Sequence, residues 1–145
     1  MFQHILVSTD GSDVAKKGVE QGLALAKAFG AKATIVTVSE TILPVAGTGE
    51  IGAATYQDYA IIQKQLADRA LAEALEEARR IGVEAATVWQ EDMSPAEGIV
   101  ETAAAQGCDL IAMASHGRRG LRRLILGSVA AEVLALSPVP VLVAR

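Results

Sequence analysis

Five short, uninterrupted apolar runs, each set apart from the next by a longer stretch, constrain this chain more than any other feature. The first, His4–Ser8, stops at Thr9-Asp10-Gly11-Ser12, a turn cluster that contains helix N-cap residues. From about Ser12 to Phe29 the apolar residues Val14, Val19, Leu23, Ala26 and Phe29 recur at helical spacing, and Gly30 stands where a helix C-terminal glycine belongs. Ala33–Val38 is β-branched and predicts a second strand. A long helix is expected from Tyr56 to Ile81, with Leu66, Ala70, Leu71, Ala74, Leu75 and Ala78 on one face and Gly82 at its end. Glu84–Gln90 reads as a third strand. Ser94-Pro95 then opens a helix, with Glu97 at the capping-box position, and Gly107 closes it. The fourth and fifth strands are expected over Asp109–Ala114 and Val139–Ala144. Between the second strand and the long helix, Glu40–Thr55 carries Pro44, Gly47, Gly49 and Gly52 and shows no period, which predicts either a lid or a disordered loop.

Alternation of strand and helix implies parallel pairing with helices on both faces, an α/β architecture. At 145 residues the chain suits one domain spanning 1–145. Aromatic residues make up only 3%, so the core has to be built from Ala, Val, Leu and Ile. The net charge of −4 argues against a nucleic-acid binder. No apolar run approaches the length of a membrane span, and the N-terminus lacks the features of a signal peptide. The single cysteine, Cys108, excludes an internal disulfide and fits a reducing, cytoplasmic setting, where it is expected to be a small packing residue. Trp89 and Met113 fall within strands and are expected in the core.

In open parallel sheets, ligands bind outside the carboxyl ends of the strands, where the strand order reverses. The segment after the fourth strand, Ala114 to Ser128, stands out there. Gly117 and Gly120 would let backbone amides approach a ligand, Arg118, Arg119, Arg122 and Arg123 concentrate positive charge, and Gly127-Ser128 opens a helix whose N–H groups suit phosphate oxygens. The plainer alternative is that the glycines only turn the chain and the arginines form a solvated face.

This segment resembles the ATP-binding branch of the universal stress protein family, which carries Gly, two residues, Gly, nine residues, Gly, then Ser or Thr. Gly117, Gly127 and Ser128 match, while Ala114 stands at the first glycine. The resemblance extends over the chain, through Ile-Leu-Val-Ser-Thr-Asp-Gly-Ser at the start, Val-Thr-Val-Ser, the Ser-His-Gly loop, and Pro-Val-Pro-Val-Leu-Val at the close. It implies an open, five-stranded, Rossmann-like sheet of order 3-2-1-4-5, with Asp10 opposite the glycine loop. It further implies ATP as ligand. Asp10 would reach the ribose or a phosphate-bound magnesium ion, Ser8 and Thr9 would line the crevice, and Val38 would meet adenine through its main chain. Gly117, Gly127 and Ser128 would hold the phosphates, with Arg118 and Gly120 nearby and Ala114, Ser115, His116 and Arg119 in the same loop. A homodimer through the last strand, with Val139, Val141 and Val143 contributing, is also implied; the alternative is an edge blunted by Pro138 and Pro140.

Asp10 has a second reading as the cap of the first helix, in competition with Ser12. Ser115 and His116 are adjacent and are expected to project in different directions, a poor nucleophile–base pair. Two histidines and one cysteine do not make a zinc site. The chain has no Gly-Lys-Ser/Thr motif, so a dedicated ATPase is not expected. The reading is therefore a dimeric, regulatory ATP-binding protein with at most slow hydrolysis. An adenylating enzyme would need paired glycines after the first strand, which Ser8-Thr9-Asp10-Gly11 lacks, and a nucleotide-free interaction module would not need Gly117, Gly127 and Ser128.

Overall fold

The expected strands all form. In the computed structural model, which describes residues 1–40, 51–117 and 125–145 (51–55 by backbone alone), the chain runs β1 (His4–Ser8), α1 (Asp13–Phe29), β2 (Lys32–Ser39), α2 (Ile51–Ile81), β3 (Ala85–Glu91), α3 (Pro95–Gln106), β4 (Leu110–Ala114), α4 (Ser128–Leu136) and β5 (Val141–Ala144). The strands form one sheet of order β3-β2-β1-β4-β5, parallel throughout. The order reverses between β1 and β4, where Ile5, Leu6 and Val7 lie opposite Leu110, Ile111 and Ala112.

Period-two alternation sends successive side chains to opposite faces of the sheet. Ile5, Val7 and Ile35 pack with Val19 and Leu23 of α1 and Leu71 and Ala74 of α2. Leu6, Val36 and Ile111 pack on the other face with Ile99 of α3 and Val133 of α4. The helix stops fall where the glycines predict. Gly30 and Gly107 adopt left-handed φ values of 64° and 66° and return their N–H groups to the preceding turn. No helix among the described residues is long and apolar enough to cross a membrane.

Several expectations change. Helix α2 starts at Ile51, five residues before the predicted Tyr56, so the loop does not extend to Thr55. Gly52 falls in the first turn, where N–H groups have no intrahelical partner in any case and glycine weakens little. The rest of the predicted lid, 41–50, lies outside the described residues. Strand β5 begins at Val141, because Pro140 has no N–H to give the ladder. Trp89 is half-buried at the edge of the core, whereas Met113 is buried as expected. Val19, Leu23 and Ala26 are buried as expected, but Val14 and Phe29 are exposed, and Ala15, Gly18 and Gly22 complete the face that α1 buries.

The two glycines on that face allow a close approach. A Cβ on Gly18 would fall 2.7 Å from the Met113 carbonyl carbon and nearer still to the Ala114 amide nitrogen; one on Gly22 would fall 2.8 Å from the Ala112 methyl. Gly18→Ala is therefore expected to lower stability by about 1–3 kcal/mol through overpacking, read as a lower urea midpoint with an unchanged slope.

At the other end of the sheet, Asp109 joins the starts of β1 and β4. Its carboxylate accepts the Gln3 and His4 N–H groups at 2.8 and 3.1 Å; desolvation pushes its pKa up, but these bonds, together with its own backbone N–H and the His4 charge, hold it below the usual carboxylate range. Cys108 beside it is buried, and burial pushes its thiol up to about 11, an inert packing residue as expected. His4 is buried, its Nε2 lying 2.8 Å from Thr34 Oγ1. Burial, with the Lys32 charge, lowers its pKa below the ordinary value, against the opposing pull of the Gln106 backbone bond and Asp109. Folding thus favours neutral His4, whose contribution is intact above about pH 6.5 and is lost as pH falls toward the depressed folded value. Wild type is expected to lose more stability between pH 7 and pH 5 than His4→Gln, in urea titrations at each pH.

Candidate functional site

Three segments meet beyond the carboxyl ends of β1 and β4. The first is a set of nested turns after β1. Thr9 N–H extends the ladder to the Val36 carbonyl at 2.9 Å, and Thr9 Oγ1 accepts from Gly11 N–H at 3.1 Å. Asp10 Oδ1 accepts from Ser12 N–H at 2.9 Å, and Ser12 Oγ in turn accepts from Ala15 N–H at 3.2 Å. Ser12 is therefore the N-cap of α1, which settles the competition with Asp10. Asp10 braces the turn instead, with its other oxygen toward the second segment. A Cβ on Gly117 would lie 2.8 Å from Asp10 Oδ2, so the carboxylate rests against the bare glycine.

The second segment, Ser115–Gly117, leaves β4. Ala114 is the last residue of that strand, in register with Ala144, so the position where the family pattern has glycine carries ordinary strand backbone here. Ser115 is buried, and its N–H donates to the Ala144 carbonyl at 2.8 Å. Its Oγ lies 3.0 Å from His116 Nδ1, so the two side chains meet rather than diverge. Adjacent residues project apart in a regular strand, but β4 has ended and the alternation no longer holds.

The third segment is the start of α4. Gly127 N–H donates to the Ser115 carbonyl at 2.8 Å, and a Cβ on Gly127 would fall 2.6 Å from that same oxygen. Its φ of −62° is open to any residue, so what demands glycine is the close passage of the two chain segments. The N-cap of α4 is Gly127, which has no side chain to make a cap bond, and Ser128, Val129 and Ala130 of its first turn line the opening.

These segments border a cleft of about 520 Å³. Ser8, Thr9, Asp10, Val38, Ala114, Ser115, His116, Gly117, Gly127 and Ser128 all line it, and Arg118, Arg119 and Gly120 lie outside the described residues, as do Arg122 and Arg123. Val38 is seated on α3, where a Cβ on Gly98 would come 2.8 Å from both of its methyl groups. Sequence reasoning missed the far wall. Tyr59, Gln63, Leu66 and Ala67 of α2 line it, with Ser94, Pro95 and Ile99 at the start of α3. Leu66 was legible only as a core residue, yet it stays partly exposed because it faces the cleft. Ser94 was read as a cap; its hydroxyl instead donates to the Glu97 carboxylate at 2.9 Å and makes no cap bond.

Among the described lining residues, Asp10, Glu40 and Glu132 carry carboxylates and none is a lysine or arginine. Those residues also include no group of three His, Cys, Asp or Glu side chains able to hold a metal ion by itself.

An open parallel sheet, wound on both faces and with its large cleft at the reversal of strand order, places the chain among the doubly wound α/β ligand-binding folds. The model of the universal stress protein family matches residues 1–145, and the chain belongs to that family. It is 34% identical over 149 residues to universal stress protein MJ0531 of Methanocaldococcus jannaschii, covering all of this chain and 83% of that one. Among solved structures, the universal stress protein UspA of Lactobacillus plantarum superposes with a TM-score of 0.84 at 21% identity, over 99% of this chain and 97% of that one. A universal stress protein in complex with cAMP superposes with a TM-score of 0.70 at 26% identity, again over 99% and 97%.

Gly127 and Ser128 are separable by substitution. Gly127→Ala is expected to cost about 1–3 kcal/mol from steric conflict with the Ser115 carbonyl, whereas Ser128→Ala, which removes no cap bond, should stay within roughly 0.5 kcal/mol of wild type. Urea unfolding followed by Trp89 fluorescence measures both.

Proposed function

We propose that the cleft binds an adenine nucleotide, ATP with magnesium, and that the chain acts as a dimeric stress-response regulator in the cytoplasm. The observation that carries the reading is the position of Asp10 against Gly117 at the strand-order reversal, with the start of α4, whose N-cap is Gly127, across the opening. The cAMP complex of the 26%-identical relative supports an adenine nucleotide in a cleft of this fold.

In this reading the base lies against the main chain of Val38, between β2 and the far wall of the cleft. The phosphates lie over Gly117 and meet the first-turn N–H groups of α4 and the Ser128 hydroxyl. Gly127 acts by steric allowance, since its N–H is already bonded to Ser115. Ser8, Thr9, Ala114, Ser115 and His116 complete the floor, and Arg118, Arg119 and Gly120 belong to the phosphate loop.

Magnesium fits the donor set. The ion commonly takes one or two protein carboxylates and completes its shell with phosphate oxygens and water. Asp10 supplies one carboxylate at the phosphate end, and the ion would offset the charge that Asp10 and the phosphates share. No catalytic residue is assigned, and hydrolysis, where it occurs, is slow. Ser115 Oγ lies 3.0 Å from His116 Nδ1, and the reading gives that pair no catalytic role.

The dimer would form along β5, which pairs with β4 on one side and whose four residues are half-buried in the single chain. A second copy pairing there, with Val139, Val141 and Val143 at the seam, would cover that edge.

The decisive test substitutes a glycine and a serine. Among the described residues, a methyl on Gly117 would meet only the Asp10 carboxylate, at Oδ2. Gly117→Ala is expected to leave the urea midpoint nearly unchanged yet weaken ATP–magnesium binding about tenfold by calorimetry, and Ser128→Ala to weaken it by a similar factor through loss of one charge-assisted hydrogen bond. Absence of binding heat from the folded wild-type protein would sink the reading and favour a nucleotide-free interaction module.

A further inference from the structure

Aromatic residues are so few here that their placement is informative. The chain has two phenylalanines, two tyrosines and one tryptophan. Phe2 and Phe29 pack edge-on against each other, with ring centroids 5.5 Å apart. The other three, Tyr56, Tyr59 and Trp89, all line one small hollow of about 80 Å³ beside the nucleotide cleft, past the ends of β2 and β3. Tyr56, Tyr59 and Gln63 recur at helical spacing, so α2 presents them on one face. Trp89 closes the opposite side, with its indole Nε1–H donating to Ser39 Oγ at 2.9 Å, which fixes the plane of the ring. Glu40, Glu91, Asp92 and Ala60 also line it.

We propose that this hollow binds a small organic cation, an alkylammonium or quaternary ammonium group. Aromatic faces carry negative electrostatic potential and attract such groups, most strongly at tryptophan. Within the chain, Lys64 Nζ already lies 5.7 Å from the Trp89 ring centroid, so an incoming ammonium has to share that ring with Lys64 or displace it. The flanking carboxylates of Glu40 and Glu91 complement a positive charge and repel an anion. A hard metal ion would gain little from three rings, and the described residues include no three-membered donor group for one. The core does not account for Tyr56, which stays 44% exposed at the hollow's mouth. The site uses neither the glycine loop nor Asp10, although it shares Ser39, Glu40, Tyr59 and Gln63 with the cleft, so it is tested on nucleotide-free protein.

Trp89 is the only tryptophan and lies in the site, so its fluorescence reports occupancy directly. Tetramethylammonium chloride, titrated into nucleotide-free protein at constant ionic strength, is expected to give a saturable change that sodium chloride does not. Tyr56→Leu and Glu91→Gln should each weaken binding by roughly three- to thirtyfold, while Tyr56→Phe, which keeps the ring, should stay within about twofold. A response that is linear, or matched by sodium chloride, overturns the proposal. So does equal affinity in wild type, Tyr56→Leu and Glu91→Gln.

Discussion

Helix α1 crosses β4 at Gly18 with no room for a methyl group, the Met113 carbonyl carbon and Ala114 amide nitrogen occupying the place of a Cβ. Gly22, one turn on, has the Ala112 methyl in the corresponding place. This contact fixes α1 against the far end of β4, and the start of α1 is in turn fixed by the turns after β1. The two strands that reverse the order of the sheet are thereby locked together at the end where the cleft opens. Asp10 hangs from one of them and Gly117 from the other, so their meeting follows from helix-on-sheet packing far more than from any attraction between them.

The charge of the cleft follows a different logic. Its described wall is acidic, through Asp10, Glu40 and Glu132, in a chain that is acidic overall. A ligand with several negative charges needs compensation from oriented N–H groups, from a cation bound with it, or from the arginines between Gly117 and Ile125. The first turn of α4, with a glycine as its N-cap, is suited to provide the first of these. The neighbouring hollow has carboxylates and rings, a chemistry suited to the opposite sign, and it shares Ser39, Glu40, Tyr59 and Gln63 with the cleft. One surface at the ends of the strands thus holds two adjoining environments, divided by the face of α2.

The strands and the glycine helix stops were legible in the sequence because each follows from local physics: apolar runs that must be buried on both faces, and left-handed backbone that glycine adopts freely. The position of the cleft was legible for the same reason, since strand-end position decides it. What escaped depends on contacts between distant segments. Gly18 and Gly22 look like weak points in a helix until β4 is placed beneath them. Trp89 looks like core until α2 is seen to leave a hollow over it. Ser115 and His116 were judged by strand geometry one residue beyond the end of the strand. The far wall of the cleft comes from α2 and α3, whose lining residues carry no motif of their own.

The glycines of the loop motif, read together as a phosphate signature, separate once neighbours are known. Gly127 is required by backbone sterics alone, because the Ser115 carbonyl occupies the space of its side chain. In this chain that contact calls for glycine whether or not a ligand binds, so Gly127 by itself says little about function. Gly117 is different. It does not have a positive φ, and the nearest described atom to a Cβ there is Asp10 Oδ2. Neither turn geometry nor packing among the described residues asks for glycine there. A bare backbone beside Asp10 makes physical sense when something else must occupy that space, and of the motif's residues Gly117 is the one that argues for a ligand.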